Sequence, residues 1–150
     1  MNQDFRDLLA EFNAHGVEYL VVGGHALAAH GYVRATKDFD VWVRPTPANA
    51  PRVLTALAAY GAPLHDLCET DLASPGTVFQ IGVPPLRIDV LTAIDGVAFD
   101  EAWPMRLSAQ FADQVAPVLS REDLIRNKRA AGRPRDLLDA KWLETHRPTK

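Results

Sequence analysis

One cysteine, Cys68, stands among 150 residues, which excludes an intrachain disulfide and a cysteine-built metal cluster. No base accompanies it, so it reads as a buried or incidental thiol. His15, His30 and His65 show no metal-ligand spacing with each other and receive no role. No apolar run approaches the roughly 20 residues that a membrane span needs. The start Met1-Asn2-Gln3-Asp4-Phe5-Arg6 lacks the basic residues and long apolar core of a secretion signal. There is no internal repeat and no linker long enough to separate domains. These absences lead to the expectation of one domain over residues 1–150, cytoplasmic and without a membrane partner.

A hydrophobic fraction of 47% is enough for a sheet with helices packed on it. The net charge of −3 hides an asymmetry. Residues 121–150 carry nine Lys or Arg against five Asp or Glu, so the first 120 residues are strongly acidic.

The acidic region holds the pattern with the most chemistry in it. In Thr36-Lys37-Asp38-Phe39-Asp40-Val41-Trp42-Val43, strand alternation puts Asp38 and Asp40 on one face and Phe39, Val41 and Val43 on the other. Two adjacent carboxylates repel, and a divalent cation between them keeps both ionised. Arg87-Ile88-Asp89-Val90-Leu91 offers a third carboxylate from a neighbouring strand. Asp38, Asp40 and Asp89 are therefore the candidate metal ligands and catalytic residues, with Mg²⁺ or Mn²⁺ as the ion. Three carboxylates suit a two-metal centre for displacement at phosphorus.

Upstream, the apolar run Glu18-Tyr19-Leu20-Val21-Val22 ends at Gly23-Gly24 and passes into a helical composition closed by Gly31. Two readings stand. Glycines before a helix let a phosphate approach backbone N–H groups, or they are a tight turn. His25 either touches phosphate or packs and caps. Within the basic cluster, Lys128 and Arg133 are the best candidates for a triphosphate contact, against the alternative of a solvated helix face. Asp136 is expected to form an ion pair with Arg133 or Arg129. Arg34 and Lys37 are loop cations, one of which could reach a phosphate.

In order and spacing, Val22-Gly23-Gly24, Asp38-Phe39-Asp40-Val41 and Ile88-Asp89-Val90 resemble the polymerase-β type nucleotidyltransferase superfamily. Gly24-His25-Ala26-Leu27, Gly31, Arg34 and Thr36, with the run from Leu124 to Asp139, look most like its small bacterial members, the minimal nucleotidyltransferases and abortive-infection toxins. The resemblance implies an α/β (α+β) fold, a small mixed sheet flanked by helices with a helical C-terminus. It also implies transfer of a nucleoside monophosphate from a nucleoside triphosphate, ATP among them, to a hydroxyl on RNA, protein or a small molecule. A cognate partner protein of a toxin–antitoxin pair belongs to the same expectation. Where many members have Ser after the first glycine this chain has Gly24 and then His25, a departure that keeps a second class open. That class is a nucleotide- or partner-binding module of weak activity. A third class is a two-metal phosphohydrolase or nuclease.

Elsewhere, Phe5, Leu8, Leu9 and Phe12 predict a packing helix ending at His15-Gly16. Thr46 with Pro47 predicts a helix start running through Val53–Ala59 to a stop at Gly61. Thr77–Val83 and Leu86–Leu91 predict two strands joined around Pro84-Pro85. Ser120 caps a helix broken at Gly132, and Pro134 opens another to about Thr145, with Leu137, Leu138, Lys141 and Trp142 as its contact positions. Trp42 either lines the site or packs, and Trp103 and Trp142 are expected in the core.

Overall fold

A computed structural model describes residues 1–33, 38–83 and 86–147. Arg34, Thr36, Lys37, the Pro84-Pro85 turn and the last three residues of the tail lie outside the described residues.

Helix α1 (Gln3–Ala14) starts where the Asn2 side chain accepts the Asp4 backbone N–H at 2.8 Å. Its Phe5, Leu8, Leu9 and Phe12 are all buried, as their spacing predicts. Strand β1 (Tyr19–Val22) is buried at every position, and Gly23 turns it into the short helix α2 (Gly23–Ala29). Strand β2 (Asp38–Val43) follows, then α3 (Ala50–Tyr60), the single-turn α4 (Glu69–Leu72), β3 (Val78–Ile81) and β4 (Arg87–Leu91). Another single turn, α5 (Phe99–Ala102), runs into a 3₁₀ turn at Trp103–Met105. A hairpin of β5 (Leu107–Phe111) and β6 (Gln114–Val118) precedes α6 (Arg121–Ala131) and α7 (Pro134–Thr145).

The six strands form one mixed sheet in the order β3-β4-β2-β1-β6-β5. Strands β2 and β4 are parallel, as are β1 and β6, while the other three pairs are antiparallel. This is the small mixed sheet flanked by helices that the resemblance implies. One core unites α1, the central strands and α3, with Phe5 stacked on Phe39 at 5.0 Å between ring centres. Burying aromatic and aliphatic side chains of this kind contributes roughly 1.5–3 kcal/mol each.

Several local expectations shift. Helix α3 starts at Ala50 and not at Pro47, because the residues after Thr46 form a turn in which the Thr46 hydroxyl accepts the Asn49 N–H. The fully buried Asn49 side chain accepts the Glu18 backbone N–H and donates to the Glu18 and Arg44 carbonyls, tying the start of β1 to the end of β2. Both strands around Pro84-Pro85 are shorter than expected.

On α7 the contact face differs from the one expected. Leu137 and Leu138 are exposed, and the buried stripe is Asp136, Asp139, Ala140 and Leu143. A buried lysine on α6, Lys128, draws the two acids inward. Trp103 and Trp142 pack at the margin of the core: Trp103 stacks on Phe99, and Trp142 stacks on Tyr32. Cys68 is exposed, its thiol against Asp71.

Candidate active site

The site forms where β1 ends and β2 and β4 begin. Parallel pairing sets Asp38 opposite Arg87 and Asp40 opposite Asp89, while antiparallel pairing sets Val22 opposite Asp40. Register alone therefore gathers the Gly23 turn and three carboxylates from segments far apart in sequence. On the opposite face Phe39 and Val41 are buried in the core. Trp42 has the parity of Asp40 but packs edge-on against Phe99 at 4.9 Å and is buried, so packing is its role.

Gly23 touches this centre directly. Its φ of +69° is a left-handed conformation, and a Cβ built on it would meet Asp40 Oδ2 at 2.3 Å. No other residue type fits here without moving the carboxylate.

Asp40 and Asp89 stand directly opposite each other across β2 and β4. Burial, then the charges of Asp89 and Asp38, push the Asp40 carboxyl up to about 7, against a weaker opposing pull from Arg87. Arg87 had no role assigned from sequence, yet its guanidinium reaches into the cluster. Its Nη2 donates to Asp38 Oδ2 and to Asp89 Oδ2, each at 3.3 Å, and Nε lies 3.0 Å from Asp89 Oδ1. That last pair lacks hydrogen-bond geometry, and neither atom has a hydrogen-bond partner among the described residues. The sequence signal was present, since Arg87 stands two residues before Asp89 with the same strand parity.

Across the cleft, Lys128 of α6 is buried and ion-paired to Asp136 at 3.5 Å and to Asp139 at 3.3 Å, both themselves buried. Arg133, largely exposed, donates from Nε to Asp136 at 2.6 Å, the ion pair expected for Asp136. Burial pushes the Asp136 carboxyl up, but Arg133 and Lys128 together hold it below the usual carboxylate range.

All these groups line a cleft of about 380 Å³, with Gly24 and Arg135. A second lobe of about 320 Å³ shares Gly23, Asp40, Lys128, Arg133 and Asp136 and extends to Leu91, Ile94, Asp95 and Asn127. Asp95 and Asn127 did not stand out in the sequence. His25 lies apart from both lobes. Its ring packs edge-on against Phe5 and Phe39 and reaches the Asp38 backbone, and burial holds its pKa down.

Among the described residues no three His, Cys, Asp or Glu side chains form a ready-made metal cage; Arg87 stands between Asp38 and Asp89. The donor set nevertheless fits a hard divalent cation. It is all oxygen, it carries an excess of negative charge, and it contains a buried carboxylate atom, Asp89 Oδ1, without a hydrogen bond.

No protein-family model matches the chain, and no curated protein matches it in sequence. Solved structures do match. The lincosamide antibiotic adenylyltransferase LnuA, lincomycin-bound, is 15% identical with a TM-score of 0.61, over 97% of each chain. The antibiotic-resistance factor ANT(2'')-Ia, in complex with adenylyl-2''-tobramycin, is 14% identical with a TM-score of 0.59, over 93% of this chain and 84% of that one. A Thermotoga maritima protein proposed to be a nucleotidyltransferase is 14% identical with a TM-score of 0.57, over 95% and 91%. The fold is therefore the one these solved nucleotidyltransferases share, over nearly the whole chain.

Proposed function

We propose that this protein is a metal-dependent nucleotidyltransferase that moves a nucleoside monophosphate from a nucleoside triphosphate to a hydroxyl acceptor. The observation that carries the reading is the pairing of Asp40 with Asp89 across β2 and β4, directly against the Gly23 turn, in a fold shared with antibiotic adenylyltransferases.

Asp38, Asp40 and Asp89 would hold Mg²⁺ or Mn²⁺. When bound, the ion supplies charge neutralisation for the triphosphate and polarises the attacking and leaving oxygens. Gly23 and Gly24 lack side chains, so phosphate oxygens can approach their backbone N–H groups. Arg133 and Arg135 line the same cleft and screen the phosphate charge. The acceptor oxygen bonds to the α-phosphorus as the α–β bridging bond breaks, and pyrophosphate leaves with that bond's electron pair. The acceptor's proton passes to Asp89, which stands opposite Asp40 and lines the cleft.

The two antibiotic-modifying neighbours favour a small hydroxylated molecule as acceptor over RNA or protein. Triphosphate and Mg²⁺ are cytoplasmic, and the reading places the protein there. Incubation with α-labelled triphosphates and a panel of hydroxylated acceptors should give labelled product and pyrophosphate. Asp40→Asn should lower the rate at least 100-fold with the fold intact; equal rates in the two proteins would sink the assignment.

A further inference from the structure

The geometry points to Arg87 as a built-in counter-ion that occupies the carboxylate cluster until a divalent cation displaces it. This rests on the reading above, that the three aspartates hold such a cation.

The observations are specific. One nitrogen, Nη2, bonds Asp38 and Asp89 together at 3.3 Å each, and Nε stands 3.0 Å from the second oxygen of Asp89. The guanidinium is only partly exposed and Asp89 is nearly buried, so solvent screens the pairs incompletely. A small dication takes carboxylate oxygens at roughly 2.0–2.1 Å. An ion that bridges the two oxygens Nη2 now bridges would take the space between them that Nη2 faces. The two positive groups compete for that position, so ion entry moves Arg87 off Asp38 and Asp89.

Three carboxylates converging without a cation would repel one another, and the register sets Asp40 directly opposite Asp89. Arg87 holds the cluster together, because its planar fork can join two carboxylates from different strands where an ammonium would act as a point charge. The cost is competition with the metal. Arg87 is thus a positioning residue that acts through Asp38 and Asp89 and lowers intrinsic metal affinity. Once displaced it remains in a cleft that takes anions.

The test needs no turnover. Mn²⁺ binding in the absence of nucleotide is measured by calorimetry on wild type, Arg87→Gln, Arg87→Lys and Asp40→Asn, each first shown to melt cooperatively. The expected result is Mn²⁺ affinity at least tenfold tighter in Arg87→Gln than in wild type, with Arg87→Lys between them. If Arg87→Gln does not fold, the Arg87→Lys comparison with wild type carries the same expectation in direction. Equal or weaker binding in the variants, with wild-type binding lost in Asp40→Asn, overturns the role of Arg87 and leaves the metal site standing. No Mn²⁺ binding by any folded variant overturns the inference together with the reading beneath it.

Discussion

Two walls face each other across the cleft, and their charges are handled in opposite ways. On the strand wall, Asp38, Asp40 and Asp89 crowd together around Arg87, and Asp40 is pushed up to about 7. On the helical wall, Lys128 is balanced by Asp136 and Asp139, and Asp136 takes a second partner in Arg133. On the strand wall like charges crowd and a cation would relieve them, whereas on the helical wall the buried lysine and acids pair with one another. Basic composition in the last 30 residues therefore overstates the positive charge left for a ligand. Lys128 lines both lobes, but it is first a structural group that docks α6 against α7.

The sharpest way to break that contrast is Lys128→Met, which removes the cation that two buried carboxylates share. It should destabilise the fold by about 3–5 kcal/mol in chemical denaturation. Arg133→Ala, on a largely exposed side chain, should cost no more than about 1 kcal/mol. Similar losses in both variants would mean that the helical wall is not organised around Lys128.

The strand wall makes the next largest prediction. In the metal-free chain Asp40 keeps its proton up to about pH 7, while the unfolded chain releases it near pH 4. The folded state thus binds more protons between those values. Its stability should fall as pH rises through that window, by up to about 4 kcal/mol from this group. Denaturation of wild type and Asp40→Asn across pH 4–8 isolates the contribution, since the variant should lose the slope. Saturating Mg²⁺ should flatten it in wild type.

Gly23→Ala tests the contact between the glycine turn and the strand wall. Its Cβ would meet Asp40 Oδ2, and its φ is left-handed. A loss of about 1–3 kcal/mol is expected, with Mg²⁺-dependent nucleotide binding weakened more than the Tm alone explains. A variant of unchanged binding would show that the carboxylate need not be where it is placed.

The strand wall was legible in the sequence because it follows from a period of two and a glycine turn. Asp38-Phe39-Asp40 and Ile88-Asp89-Val90 announce both the face and its charge, and Gly132 with Pro134 marks the break between α6 and α7. The β5–β6 hairpin carried weaker signals. Its turn uses Ala112 at φ +57° in place of glycine, and Pro117 sits inside β6, so the usual turn and strand markers are missing. The face of α7 misled for a different reason. Apolar spacing suggested Leu137 and Leu138, whereas a buried ion network took the inner face, and only the docked partner helix reveals that. Arg87 was visible by parity, but the choice between pairing with Asp89 and reaching solvent depended on the neighbouring β2 strand.

The measurement that bears most directly on the central claim is calorimetric titration of the four ribonucleoside triphosphates, with and without Mg²⁺, on wild type and Asp40→Asn. The account predicts triphosphate binding that requires Mg²⁺ and is lost in the variant. Binding that is indifferent to Mg²⁺ and unchanged by the substitution, or no binding to any of the four by a folded wild-type protein, would contradict it.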